Sequence, residues 1–232
     1  MKAVILAGGR GKRLAPLTDT IPKAMILING KPMLEIIFGQ LKTIGVTEVV
    51  VVVHYLKNKI IGHFGNSFQG IKIHYVEQKE MNGTADAVLM AEHFVDEAFM
   101  CIACDSLFDT ALLKKIVQHT SEGVITVCSV QDPSRFGVIE TNGDEVRRIV
   151  EKSLHPPSNL ANFSIYLFPV TIFDACKKIS KSPRGEYEIT DAIQYLIDQG
   201  TRFEYEVGQE ILDIGTLEQY ERAQVLARKL GV

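Results

Sequence analysis

The segment Leu6-Ala7-Gly8-Gly9-Arg10-Gly11-Lys12-Arg13-Leu14 carries the strongest chemical signal in the chain. Three glycines in four positions let backbone N–H groups converge on an anion, because no Cβ blocks close approach. Arg10, Lys12 and Arg13 add three cations within four residues, so the segment reads as a phosphate cradle. It is not a Walker A loop, since Gly-x4-Gly-Lys-[Ser/Thr] is absent. It is not the dinucleotide fingerprint either, since Leu14 stands where a third glycine belongs. A second pattern, Cys101-x-x-Cys104, has the spacing of zinc or redox chemistry, but no other Cys/His pair accompanies it. Its surroundings read as a buried strand, in which positions three apart point to opposite faces. Cys101, Cys104, Cys128 and Cys176 are therefore read as reduced, core-filling residues.

A cradle needs a rigid frame, and the chain supplies strand-like apolar runs at 2–7, 49–53, 71–75, 99–104 and 124–127. Runs apolar on both faces belong inside a sheet. Helical periodicity fills the gaps at 32–44, 57–64, 85–94 and 110–119. This alternation predicts an α/β fold with a doubly wound, mostly parallel sheet flanked by helices. The cradle then lies at the C-terminal end of the first strand, where open α/β sheets bind ligands. The second half is less regular, with strands expected at 136–140, 147–151 and 164–168, read as a small additional sheet. Helices are expected at 189–199 and 217–230, and Thr216-x-x-Gln219 is a capping-box start for the last.

The 232 residues carry 28 acidic and 25 basic side chains, a formal charge of -3. That balance supplies no field for a polyanion, which excludes nucleic-acid binding by bulk charge. No window reaches the ~20 apolar residues of a membrane span, and the apolar stretch after Lys2 is too short for a signal peptide. The expectation is one cytoplasmic domain over 1–232, with no membrane partner and with room for a homo-oligomer.

Further motifs follow in order: Pro22-Lys23-Ala24-Met25, Gln78-x4-Gly83-Thr84-Ala85, Asp105 behind a strand, Phe136-Gly137-Val138-Ile139, Glu151-Lys152, Gly185-Glu186-Tyr187-Glu188-Ile189-Thr190-Asp191 and Leu212-Asp213-Ile214-Gly215-Thr216. With the glycine-rich segment, this series resembles the sugar-1-phosphate nucleotidylyltransferases, the nucleoside-diphosphate-sugar pyrophosphorylases, over residues 1 to about 220. Within that family the chain is similar to the glucose-1-phosphate thymidylyl- and uridylyltransferases. Departures from the common pattern are Cys104, Ser153, Ser164 and Ile211, none of which removes a charged group. No hexapeptide-repeat segment follows the last helix, so the acyltransferase domain of some relatives is not expected.

The resemblance implies a reaction: the phosphate of a sugar 1-phosphate attacks the α-phosphorus of a nucleoside triphosphate, releasing pyrophosphate. It assigns Arg13, Lys23 and Lys152 as catalytic cations, and Asp105 with Asp213 as ligands of Mg2+. Leu6, Ala7, Gly8, Gly9, Gly11, Gln78 and Gly83 would bind the nucleotide. Gly137, Glu151 and Asn162 would line the sugar pocket. Read without the resemblance, both aspartates are ordinary turn residues and Gln78 is an exposed polar residue after a strand, while Asp109 is a helix N-cap. The preferred substrates are dTTP or UTP with glucose 1-phosphate. The alternatives are a guanylyltransferase acting on mannose or heptose 1-phosphate, a cytidylyltransferase, and a non-catalytic nucleotide-binding regulatory relative.

Overall fold

The computed structural model describes residues 1–232. Strand and helix alternate through the first half as Lys2–Ala7, Met33–Thr43, Glu48–Val53, Lys57–Phe64, Ile71–Glu77, Thr84–Leu89, Phe99–Ala103 and Thr110–Ile116. The four strands lie parallel in the order 71–77, 48–53, 2–7, 99–103. Successive side chains go to opposite faces and both faces are covered. Ala3, Ile5, Val49 and Val51 enter one core, and Val4, Val50 and Val52 the other. This is why a run of five valines suits the position: β-branched residues pack well on a sheet buried from both sides. Cys101 and Cys104 fall in opposite cores, and all four cysteines are free and buried.

The second half joins the same sheet. Leu160–Phe168 pairs antiparallel with Phe99–Ala103, and the sheet continues through Gly123–Ser129, Phe203–Val207, Glu145–Glu151 and Gly137–Asn142. With Ser67–Phe68 at the far edge, it has ten strands. Two small two-stranded sheets are separate from it, Leu27–Ile28 with Lys31–Pro32 and Ser106–Phe108 with Ile211–Asp213.

Several elements differ from their expected bounds. The periodicity over 85–94 yields a helix only at Thr84–Leu89, followed by a 3-10 turn at Glu92–Phe94 that lays the Phe94 ring 5.1 Å from His74. The strand expected at 164–168 starts earlier, at Leu160, because 160–163 pairs with the neighbouring strand. The helix Ile172–Lys178 and the strand Phe203–Val207 were not anticipated. The last helix, Leu217–Leu230, begins as its capping box predicts: Thr216 Oγ1 accepts from Gln219 N at 3.2 Å, and Gln219 Oε1 accepts from Gly215 N at 3.0 Å. No helix is long and apolar enough to cross a membrane.

Candidate active site

Strand register sets one rim of the site. Ala7 lies beside Val53 and Val53 beside Glu77, so the residues that follow them, Gly8, His54 and Gln78, share the C-terminal edge of the sheet. Leu6 and Ala7 end the first strand there. Gly8 is packed so closely that a Cβ would lie 3.3 Å from that of His54, whereas Gly9 faces open space. Gly11 has a left-handed φ of 67°, and its carbonyl accepts from Leu14 N and Thr18 Oγ1, both at 2.8 Å. Buried Leu14 pins the turn while Arg10, Lys12 and Arg13 stay exposed.

Below this loop four charged groups meet. The Lys23 stem passes Gly11, where a Cβ would meet Lys23 Cγ and Cδ at 3.4 Å, and its ammonium pairs with Asp105. Burial alone would lower the Lys23 pKa, but the charge and hydrogen bond of Asp105 outweigh it, and the net shift is upward. The group stays cationic. The small sheet sets Asp213 opposite Ser106, whose Oγ donates to Asp213 Oδ1 at 2.7 Å. Burial, and then the charge of Asp105, push the Asp213 carboxyl well above the usual carboxylate range. Arg13 lies against the turn after Asp213, its Nη2 3.0 Å from where a Cβ of Gly215 would stand. Two carboxylates whose charges oppose each other, presenting only hard oxygen donors, suit a divalent cation that takes its remaining ligands from phosphate and water.

A second group surrounds Gln78, which is 2 % exposed rather than the exposed residue the bare sequence suggests. Its Nε2 donates to the Gly83 carbonyl at 3.1 Å and to Asp86 Oδ2 at 2.8 Å. Gly83 has φ 116°, and a Cβ there would sit 2.5 Å from the Tyr187 carbonyl oxygen, so only glycine fits. Tyr187 in turn bonds the flanking backbone, donating to Asn82 O at 2.7 Å and accepting from Ala85 N at 2.9 Å.

The third group gathers Gly137, Glu151 and Asn162. A Cβ at Gly137 would lie 2.9 Å from Glu151 Oε2 and 3.7 Å from Asn162 Cβ. Glu151 Oε1 takes Lys152 Nζ at 3.3 Å and Arg184 Nη2 at 3.1 Å, while Oε2 accepts from Thr190 Oγ1 at 3.2 Å. Asn162 Nδ2 donates to the Tyr166 hydroxyl at 2.7 Å, and its Oδ1 is buried without a partner in the chain. Beside this group a cavity of about 470 Å³ is lined by Arg148, Lys152, Arg184, Glu188 and Asp191 among others. Asp109 is the N-cap of Thr110–Ile116, accepting from Ala111 N at 2.8 Å.

Sequence reasoning missed Ser106, Asp86, Arg184 and Thr190. Arg184 and Thr190 flank or belong to the Gly185-to-Asp191 motif, so a signal was present. Ser106 had none beyond adjacency to Asp105, and Asp86 none beyond following the Gly83-Thr84-Ala85 motif.

Comparison with known proteins shows the family and the fold. The nucleotidyl transferase family model matches residues 2–229. A UTP–glucose-1-phosphate uridylyltransferase of Haloferax volcanii, AglF, is 39% identical over 231 residues, covering 97% of this chain and 95% of the relative. The bifunctional protein GlmU of Methanococcus aeolicus is 42% identical over 200 residues, and the match spans 86% of this chain but only 47% of that protein. Among solved structures, a protein of Bacillus anthracis assigned as a glucose-1-phosphate thymidylyltransferase, in complex with sucrose, superposes with a TM-score of 0.86 at 29% identity, covering 98% of this chain and 95% of that one. A UDP-glucose pyrophosphorylase complexed with UDP-glucose gives 0.87 at 25% identity, covering 98% of each chain.

Proposed function

The chain belongs to the nucleotidyl transferase family as a sugar-1-phosphate nucleotidylyltransferase, and we propose that it joins UTP or dTTP to glucose 1-phosphate, with residues 1–232 acting as one catalytic domain. The observation that carries this reading is the convergence of Arg13, Lys23, Asp105 and Asp213 beneath the glycine loop, with the Glu151 group on the same molecule. The named specificities of the Haloferax and Bacillus relatives support the choice of substrates.

The nucleophile is a phosphate oxygen of the sugar 1-phosphate, ionised near neutral pH because the second pKa of such a phosphate is about 6. No general base is needed. A new bond forms from that oxygen to the α-phosphorus, and the bond from the α-phosphorus to the bridging oxygen breaks, leaving pyrophosphate with its electron pair. The protein has to hold two polyanions in line and meet the charge that grows on the leaving group. Backbone N–H groups of residues 8–11 cradle the triphosphate, and Arg13 and Lys23 supply fixed positive charge beside it. Lys152 holds the incoming phosphate, and Glu151, the Gly137 backbone and Asn162 accept or donate hydrogen bonds to sugar hydroxyls. Asp105 and Asp213 would hold Mg2+, which supplies charge neutralisation and a template for in-line displacement. The free, buried cysteines accord with a reducing cytoplasm.

Gln78 and Gly83 read the base. A single methyl is worth only ~1 to 3 kcal/mol in a pocket, so little discrimination between UTP and dTTP is expected. The test is pyrophosphate release with UTP, dTTP, GTP and CTP against glucose 1-phosphate. The expected result is kcat/KM highest for UTP or dTTP. A GTP value about tenfold above both, a 1.4 kcal/mol preference the wrong way, would overturn the assignment.

A further inference from the structure

We propose that Asp86 sets the base selectivity of the site by locking the Gln78 amide in one orientation. The two ends of a side-chain amide are nearly equal in size and opposite in hydrogen bonding, so shape cannot choose between them and only partners can. Here both partners of one end are acceptors: the Gly83 carbonyl oxygen at 3.1 Å and Asp86 Oδ2 at 2.8 Å. Neither has a proton to donate while Asp86 is ionised. Nε2 must therefore face them, and both of its N–H groups are consumed. Turning the amide over would set Oε1 against two acceptors inside a site where Gln78 is 2 % exposed, leaving buried polar atoms unpaired, which a folded protein avoids.

What remains is Oε1, on the Gly8 side, 3.7 Å from where a Cβ of that glycine would stand. No donor of the chain reaches it. The locked amide thus offers the nucleotide an acceptor and nothing else. An imide base, uracil or thymine, presents a ring N–H to such an acceptor. Cytosine presents an unprotonated ring nitrogen at the same place, and two lone pairs then face each other. A free amide would turn to meet cytosine, whereas this one cannot. Asp86 acts as a positioning residue. It stands in the first turn of Thr84–Leu89, three residues after the glycine whose carbonyl shares its donor.

The inference rests on Gln78 facing the base, and its test does not require turnover. Titration calorimetry of UTP and CTP binding to the full chain in magnesium buffer compares wild type with Asp86→Ala, Asp86→Thr and Asp86→Asn. Wild type is expected to prefer UTP by about 100-fold or more, as sites that hydrogen-bond a specific group do. Asp86→Ala narrows the ratio to about tenfold or less, with a lowered melting temperature because one buried Gln78 N–H loses its partner. Asp86→Thr does the same while keeping a polar side chain in the helix, because a hydroxyl both donates and accepts and so fits either amide orientation. Asp86→Asn, whose own amide can present either Oδ1 or Nδ2, also fits either orientation of Gln78 and narrows the ratio in the same way. In a Gln78→Leu background, Asp86→Ala has no further effect on the ratio. An unchanged UTP preference in Asp86→Ala or Asp86→Thr overturns the inference, and so does a wild type without preference. Pyrophosphate release on the same samples tests the transferase reading separately: binding that follows this pattern without turnover removes that reading and leaves the role of Asp86 standing.

Discussion

Asp213 holds a carboxylate where burial and a neighbouring negative charge both oppose ionisation, and its one neutral donor is Ser106. A residue that served only the turn would gain from losing that charge. Asp213→Asn keeps the side-chain oxygen that Ser106 reaches and removes the repulsion with Asp105, so its melting temperature should equal or exceed that of wild type. Its kcat should nevertheless fall on the order of a hundredfold or more, the loss seen when a main electrostatic stabiliser is removed. Near-normal turnover at saturating magnesium would return Asp213 to the role of a turn residue. Gly11 gives a second test, since its φ of 67° is unfavourable for a branched side chain and its open side is filled by Thr18 and the Lys23 stem. Gly11→Val should abolish triphosphate binding in calorimetry, and unaltered affinity would place the cradle elsewhere. At this scale the sequence shows the charged groups because type and motif order mark them. It hides Ser106, because its contact with Asp213 spans 107 positions and depends on a three-residue strand pairing.

Among the elements, the strand Phe203–Val207 shows what a pattern reading loses. Phe203, Tyr205 and Val207 alternate with Glu204 and Glu206, the period-2 signal of a half-buried strand. Two glutamates in five residues lower its apparent strand propensity. Their cost is met by partners on Thr110–Ile116 and the turn that follows it, and by Arg202 just before the strand. His119 Nδ1 faces Glu204 at 2.7 Å and Nε2 faces Glu206 at 3.3 Å, Lys115 reaches Glu206 at 3.1 Å, and Arg202 reaches Glu204 at 2.6 Å. Burial alone would lower the His119 pKa, but the two carboxylates outweigh it and raise the value. A group whose folded pKa is raised contributes its full stability below the unfolded value of about 6.5 and loses it as pH rises through the folded value. Unfolding curves of wild type and His119→Gln should therefore differ most below the unfolded value and converge as pH rises through the raised folded value. A gap constant across that range would mean that His119 acts by packing alone. The missed helix Ile172–Lys178 has the same lesson in another form, since Ile172, Phe173, Ala175 and Cys176 follow helical spacing but fill barely two turns.

For the whole molecule, charge distribution matters more than charge balance. The net -3 excludes a polyanion-binding surface in bulk, yet the glycine loop exposes Arg10, Lys12 and Arg13 at the sheet edge, with Lys23 below. Arg10 is held with its guanidinium carbon 5.2 Å from the Tyr55 ring centroid, and the Tyr55 hydroxyl donates to the carbonyls of Thr18 and Asp19 at 3.1 and 3.0 Å. The cations of the loop are thus presented from a braced segment. The parallel half of the sheet could be read from the sequence because its strands are apolar on both faces. That the second half extends the same sheet could not, since antiparallel pairing of 160–168 with 99–103 joins strands roughly sixty residues apart. That continuity places the cation loop and the Lys152–Glu151 group on one frame. A cluster of exposed cations in a net-negative protein should attract a triphosphate through a field that salt screens beyond about 10 Å at 0.1 M. Raising sodium chloride from about 20 to 300 mM should lower kcat/KM for the triphosphate by roughly tenfold while kcat at saturation changes little, because screening acts on encounter rather than on the bound, desolvated groups. Arg10→Ala with Lys12→Ala should flatten that dependence without altering kcat. A dependence equally steep in the double variant would assign the attraction to Arg13 and Lys23 rather than to Arg10 and Lys12.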